Sequence, residues 1–258
     1  MSLPPLILDG FSGREEKLAA IKRYVCADQA VMFYRTNDLV HSRRVLWHLE
    51  AALPDIATVY GNRFRADFAS VLALVHDDAE ILNGDVQLHH KEQMTAAERV
   101  DLEQKERAAI ERMTLEFTPT INGFSYRDLL LAAKDKPCLE AQFVSFFDKM
   151  DGAGEAWHEV FAGNPYFLRP AGGQGTDQGY VRRLNAFPQK YPQMQPFFQQ
   201  FPNYLPQSFD FAAAVARGRP HAIISLQQDS GYPPYERWKR TVMEREGLDL
   251  LVTQVEGC

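Results

Sequence analysis

The sequence predicts an all-α fold, and three observations carry that prediction. Apolar residues recur at intervals of three and four through the first two-thirds of the chain, which is the period of a helix with one buried face. Strand-like alternation is scarce, and the segment HAIISL, residues 221–226, is its one serious candidate. A hydrophobic content of 45% is enough for a real core, so disorder of the whole chain is excluded.

The first helices follow from this period. Leu18, Ile21 and Val25 define a helix over residues 14–25, and a second stripe runs over residues 39–53, where Pro54 marks the predicted end. A third stripe extends without interruption from Phe68 to Leu82, and Asn83-Gly84 supplies a stop signal. Thr95 followed by Glu98 is a capping box that begins the next, charged helix.

Further helices are predicted over residues 126–134 and 139–161, and the composition then changes. Residues 165–206 are rich in Pro, Gln, Phe and Tyr and have no helical period. Two more helices follow, over residues 209–218 and 235–247. So many aromatic side chains would be unfavourable in water, which predicts that residues 168–258 form an extension packed on a helical domain of residues 1–167 rather than a separate domain.

Charge and cysteine usage narrow the class of protein. A formal net charge of −6 gives no electrostatic reason to bind a nucleic acid polymer or an anionic membrane. Three cysteines without paired spacing argue against a disulfide framework and for a reducing compartment. Because no apolar run reaches the ~20 residues of a membrane helix, we expect a cytoplasmic protein.

Five side chains suggest a metal centre. His76, Asp77 and Glu80 follow the third apolar stripe, and helical spacing places them on one side. His41 lies on the buried stripe of the second helix, and Asp148 follows the very apolar turn FVSFF. Each residue alone has a structural explanation, such as a satisfied core histidine or a solvated acid. Together, imidazoles and carboxylates converging from three elements are what a divalent cation requires.

These residues resemble a known family. The pattern of His41, then His76-Asp77, then Asp148 resembles the HD-domain metal-dependent phosphohydrolases, and HDDAEILNGDV is similar to the HDxxExLxGD segment of the HD-domain 5′-deoxynucleotidases (YfbR-like). RTNDLVHSRRV and the region from FVSFFDKMD to AGNPYF also resemble that family, over about Lys22 to Phe167. The family usually has Glu before the first ligand histidine, where this chain has Val40.

The resemblance implies an HD-domain helical bundle that binds one divalent metal ion (Co, Mn, Zn, Fe, Ni or Mg) and removes phosphate from (deoxy)nucleoside 5′-monophosphates or a similar small phosphomonoester. It allows a homodimer. By this resemblance the metal ligands are His41, His76, Asp77 and Asp148, the catalytic residues are Glu80 and Asp85, and the substrate-binding residues are Arg23, Arg35 and Lys91.

Two other functions compete with this hypothesis. An HD-type di-iron oxygenase needs additional histidines, for which the adjacent His89 and His90 are available. A non-catalytic binding module would use the C-terminal extension, residues 188–206 above all, as a docking surface for a partner protein.

Overall fold

The computed structural model describes residues 13–26, 29–30, 32–34, 36–86, 91, 93–117, 119–164, 167, 176–206, 208, 210–217 and 229–246. The α-helices of this part are α1 (Arg14–Ala20), α2 (Asp38–Tyr60), α3 (Ala66–Val75), α4 (Glu80–Asn83), α5 (Ala96–Glu116), α6 (Tyr126–Asp135), α7 (Leu139–Phe161), α8 (Thr176–Lys190), α9 (Gln195–Gln200), α10 (Phe211–Arg217) and α11 (Pro233–Glu246). Three 3₁₀ turns, Gly61–Arg63, Pro192–Met194 and Pro202–Tyr204, connect them.

Strands are confined, in the described residues, to two short antiparallel pairs. Val25–Cys26 pairs with Gln29–Ala30, and Thr120–Ile121 pairs with Phe124–Ser125. The predicted all-α class is therefore confirmed. The HAIISL segment lies outside the described residues.

Helix α7 is the centre of the bundle, and α2, α3, α8 and α11 all pack against it. Its side chains are buried along the whole helix, with the exception of Asp148 and Lys149. A helix whose residues are buried on all sides lies in the interior of the domain, and its buried charged residues need partners there. The two half-buried charged residues therefore mark the place where a cavity reaches this central helix.

The aromatic residues of the C-terminal extension pack on one face of α7. The ring centroids of Phe143 and Phe197 are 4.9 Å apart, and those of Phe146 and Phe198 are 5.0 Å apart. Phe187 packs edge-on against Phe146 as well, at 5.2 Å. The predicted packing of an aromatic extension on the bundle is confirmed, and it removes these rings from water.

Several predicted element boundaries were wrong. Helix α2 continues through Pro54 to Tyr60, although a proline inside a helix removes a backbone hydrogen bond. Burial of Ala52, Ile56 and Tyr60 stabilises the helix on both sides of the proline. Helix α1 ends at Ala20, before the extended backbone of Ile21. Residues 176–190 and 195–200 are helical, contrary to the expectation that this segment has no helical period. Tyr180, Leu184 and Phe187 recur at i, i+4 and i+7 and are buried. Across the described helices, none is long and apolar enough to cross a bilayer.

Candidate metal centre

The helix is interrupted between α3 and α4, and this break between the two helices contains the His76-Asp77 pair. The predicted single helix from Phe68 to Leu82 was wrong, because the backbone tightens after Val75 into turns with hydrogen bonds from residue i+3 to residue i. The amide of Asp78 donates to the carbonyl of Val75 at 3.0 Å, and that of Glu80 donates to the carbonyl of Asp77 at 2.8 Å. Such winding turns consecutive side chains in directions that a continuous α-helix does not allow.

A buried ion pair holds this break in place. Arg14 of α1 donates from Nε and Nη2 to the two carboxylate oxygens of Asp78, at 2.8 and 2.6 Å. The hydroxyl of Tyr126 donates to the same carboxylate at 2.8 Å. Arg14 and Asp78 are 2% and 0% exposed. Asp78 is thus occupied by structural partners, whereas Asp77 beside it is left to face the cluster of histidines.

The structure brings together the four side chains that the resemblance implied as ligands. Nε2 of His41 lies 3.4 Å from Oδ2 of Asp77 and 3.4 Å from Oδ1 of Asp148. Nε2 of His76 lies 3.2 Å from Oδ2 of Asp77. One ligand atom each of His41, His76 and Asp148 falls within 4.8 Å of the others. These atoms come from α2, the α3–α4 break and α7, so the fold, not sequence proximity, assembles the cluster.

The outer nitrogen of each imidazole is fixed by a hydrogen bond. Nδ1 of His76 donates to the carbonyl of Ala73 at 2.8 Å, and Nδ1 of His41 donates to Oδ2 of Asp151 at 2.7 Å. A neutral ring that donates from Nδ1 leaves a lone pair on Nε2. Both Nε2 atoms are buried and have no hydrogen-bond partner among the described residues. Buried acceptors without a partner are unfavourable, and a divalent cation at this point would satisfy both.

The pKa values of the cluster suit a cation site. In the metal-free protein, burial opposes ionisation of Asp77, but the charges of His76 and His41 outweigh it and lower the pKa of Asp77. Burial and Arg23 oppose protonation of His41, but Asp148 and Asp151 raise its pKa to about 10, so a bound cation would displace the proton from Nε2. Burial likewise opposes ionisation of Asp148, and the charge of Lys149 lowers the pKa of Asp148 well below its usual range. Both carboxylates are therefore ionised at neutral pH. The observed donor set, imidazole nitrogen and carboxylate oxygen, fits a first-row divalent metal.

A cavity of about 450 Å³ opens on the cluster. Five carboxylates line it beside His76, namely Asp77, Glu80, Asp85, Glu106 and Asp148. Basic and apolar side chains also line it, and the basic ones are Arg23, Lys91, Lys134, Lys136, Lys149, Arg183 and Lys190. The volume falls in the range of small-molecule sites, about 300–1,000 Å³. A protein of net charge −6 thus concentrates positive charge at one cavity, which favours an anionic ligand.

Glu80 and Asp85 form a second group of carboxylates with Asp38, in which one oxygen of each residue lies within 4.8 Å of the others. Burial, followed by the charges of Asp77, Asp38 and Asp85, raises the pKa of Glu80 well above its usual value. Gly84, at φ +71°, ends α4 and turns the chain so that Asp85 returns toward this group.

The predicted substrate-binding residues have different surroundings. Arg23 lines the cavity but is buried, with Nε 3.1 Å from Oε2 of Glu155 and Nη1 3.7 Å from Oδ1 of Asp38. Lys91 also lines the cavity; its side chain is half-exposed, and its Nζ lies 3.6 Å from Oε1 of Glu106. Arg35, His89 and His90 lie outside the described residues.

Sequence reasoning missed Asp151 as a member of this centre. Asp148 and Asp151 are three residues apart in FFDKMD, so they share one face of α7. That spacing could have identified Asp151. Nothing in the sequence indicated that Asp38, three residues before His41, would lie beside Glu80 and Asp85.

Comparisons with known proteins bear on the fold and the family. No curated protein matches the sequence. A solved structure, a conserved hypothetical protein from Pyrococcus furiosus, is similar with a TM-score of 0.53 and 18% sequence identity, over 73% of this chain and 92% of that one. This likeness shows a shared fold alone.

A family description, 5′-deoxynucleotidase YfbR-like, matches residues 11–203. The match therefore extends past Phe167, where the resemblance was expected to end, and takes in α8 and α9. It spans three-quarters of the sequence and includes every described residue of the metal cluster. The chain belongs to the YfbR-like 5′-deoxynucleotidase family of HD-domain hydrolases.

Proposed function

We propose that this protein is a metal-dependent phosphohydrolase that removes the phosphate from (deoxy)nucleoside 5′-monophosphates. The observation that carries the proposal is the pair of buried, unsatisfied Nε2 atoms of His41 and His76, which face the carboxylates of Asp77 and Asp148 at one end of a cavity. Family membership supplies the class of reaction. The basic lining of the cavity supports an anionic substrate.

His41, His76, Asp77 and Asp148 would hold the metal ion. A divalent cation supplies Lewis-acid polarisation of a phosphoryl oxygen and lowers the pKa of a bound water to near neutrality. The protein's part is to keep both imidazoles in the tautomer that leaves Nε2 free, through the hydrogen bonds to Ala73 and Asp151. Lys149 accompanies Asp148 as an ion pair and adds a positive charge beside the position of the phosphate.

Glu80 is the candidate that moves a proton. It lines the cavity next to Asp77, and its environment raises its pKa, as suits a group that holds a proton for a leaving alkoxide near neutral pH. Asp85 is the candidate that accepts a hydrogen bond from a sugar hydroxyl or orients the attacking water. Both residues line the cavity on which the metal cluster opens.

Arg23, Arg35 and Lys91 are the candidates for binding the substrate phosphate. Arg23 already donates to Glu155, so it can contribute only the part of its guanidinium that faces the cavity. Lys136 and Lys190 are further candidates, because they also line the cavity. Burial, followed by the charges of Lys149 and other nearby groups, lowers the pKa of Lys136 to about 8.

The direct test combines metal analysis with a substrate panel. Asp77→Ala should abolish hydrolysis of deoxynucleoside 5′-monophosphates and the retention of Co²⁺ or Mn²⁺, and most helical content should remain. Asp101→Ala is the matched control, because Asp101 lies on α5 with its side chain 62% exposed. Full activity of Asp77→Ala would refute the proposal.

Metal stoichiometry separates the alternatives. One ion per chain together with nucleotide hydrolysis supports the phosphohydrolase. Two irons per chain and consumption of dioxygen would indicate an oxygenase. No hydrolysis with any phosphomonoester, together with a tightly bound partner protein, would indicate a binding module.

A further inference from the structure

Helix α11 reaches the metal cluster from outside the family match. The match ends at residue 203, and α11 spans Pro233–Glu246. The helix packs on both α2 and α7, the helices that carry His41 and Asp148. Trp238, near its middle, is 1% exposed.

The indole of Trp238 binds the carboxylate that orients His41. Nε1 of Trp238 donates to Oδ1 of Asp151 at 2.7 Å, and Oδ2 of Asp151 accepts from Nδ1 of His41 at 2.7 Å. Asp151 and His41 are both 0% exposed. An indole N–H can only donate, and because Nδ1 of His41 donates to the other oxygen, the two donors together favour the ionised carboxylate. Indole, carboxylate and imidazole form a continuous chain that ends at the Nε2 atom facing the cluster.

The surroundings leave the indole little freedom to move. A Cβ atom on Gly154 of α7 would lie only 2.1 Å from the Trp238 ring, so the ring rests directly on the helix backbone that a glycine exposes. The Tyr235 ring stacks beside it at a centroid distance of 5.9 Å and an interplanar angle of 21°, and the Arg44 guanidinium lies 5.6 Å from its centroid. The hydrogen bond is therefore held by packing on several sides.

Apart from His41 itself, the indole is the closer of the two donors that the described residues place beside Asp151. Nε2 of His48 is 3.5 Å from Oδ1 of Asp151, which is at the limit of a hydrogen bond. Without the indole, the carboxylate could rotate, and His41 would lose the acceptor that fixes its tautomer. Partners that orient a ligating histidine typically change metal affinity by about 10–100-fold when they are removed.

We propose that Trp238 is a positioning residue for the metal centre, through which the C-terminal helix sets the orientation of His41. This inference rests on the proposed function, because it assumes that His41 binds a metal ion. It assigns the segment after residue 203 a role in the active site that is separate from its packing.

The test compares two buried tryptophans. Trp238→Phe keeps a packed ring and removes the N–H donor. Trp157→Phe is the matched control, because Trp157 is 0% exposed on α7 and its ring packs edge-on against Tyr232 rather than bonding Asp151. Affinity for Mn²⁺ and Co²⁺ is measured by competition with a chelator, and the melting temperature of the metal-free proteins is measured in parallel.

Trp238→Phe should bind both metals at least tenfold more weakly than wild type, and Trp157→Phe should bind them within about threefold at a comparable melting temperature. Equal affinity of wild type and Trp238→Phe would overturn the inference and leave the phosphohydrolase proposal intact. Failure of the wild-type protein to bind any divalent metal would instead defeat the proposed function.

A second variant and a measurement on the unaltered protein cover the case in which Trp238→Phe does not fold. Gly154→Ala keeps the N–H but displaces the ring, so the same loss of affinity is expected. In the wild-type protein, Zn²⁺ should shift the indole ¹⁵N–¹H signal of Trp238, assigned by elimination with Trp47→Phe and Trp157→Phe. A Trp238 signal that does not move when the metal binds would overturn the inference.

Discussion

Arg14→Met isolates the ion pair that shapes the break before Asp77. The substitution keeps much of the volume of the side chain and leaves Asp78, which is 0% exposed, without its counter-ion. Removing one partner of a buried pair typically reduces the free energy of unfolding by about 3–5 kcal/mol. Burial already raises the pKa of Asp78, so protonation limits the loss to the lower part of that range.

In a domain of this size, 1 kcal/mol changes the melting temperature by about 2–4 °C, so about 3 kcal/mol corresponds to a decrease of roughly 6–12 °C. Thermal and urea unfolding of metal-free protein measure both quantities. Arg14→Met/Asp78→Asn should recover a large part of the loss, because the neutral amide no longer needs a counter-ion and still accepts from Tyr126. Arg112→Met, which breaks an exposed i,i+4 pair with Glu116, should lose less than about 1 kcal/mol. An equally small loss in Arg14→Met would refute the structural role assigned to this pair.

Three further perturbations test other parts of the structure. Burial, and then the charges of Arg44 and Lys239, lower the pKa of His158 to about 3 from 6.5; the unfolded chain therefore binds this proton first as the pH falls. Between pH 7 and pH 5 the wild-type protein should lose about 2 kcal/mol of unfolding free energy through His158, and His158→Gln should not show this loss. Equal changes of the urea midpoint in the two proteins would contradict this prediction. Chelation of a metal present at 100 times its Kd should remove about 2.7 kcal/mol and lower the melting temperature by about 5–10 °C; an unchanged melt would argue against a metal bound to the folded state. Gly152→Ala places a methyl group 2.6 Å from Oη of Tyr180, which lines the cavity. The free energy of unfolding should fall by about 1–3 kcal/mol, and the KM measured by steady-state kinetics should rise. An unaltered KM would show that Tyr180 does not contact the substrate.

The helices most clearly marked in the sequence were those with a local signal. The capping box of Thr95 and Glu98 is present at the start of α5, and Asn83-Gly84 ends α4 as predicted. Boundaries failed where tertiary packing outweighs local preference. Helix α2 continues through Pro54, and the aromatic segment after residue 175 becomes helical because α7 offers its Phe side chains a surface.

By itself the sequence determined the helical class, the family and the identity of four candidate ligands, because these depend on periodicity and on a few residue types at characteristic spacing. Only the tertiary structure decided which neighbouring groups orient those ligands. Asp78 is occupied by Arg14, a residue 64 positions away, and Asp151 is bound by Trp238, 87 positions away. Hydrogen bonds and ion pairs of this kind depend on distances between helices, and no local pattern encodes them. The orientation of His41 is therefore a property of the folded bundle, including the helix at its C-terminal end.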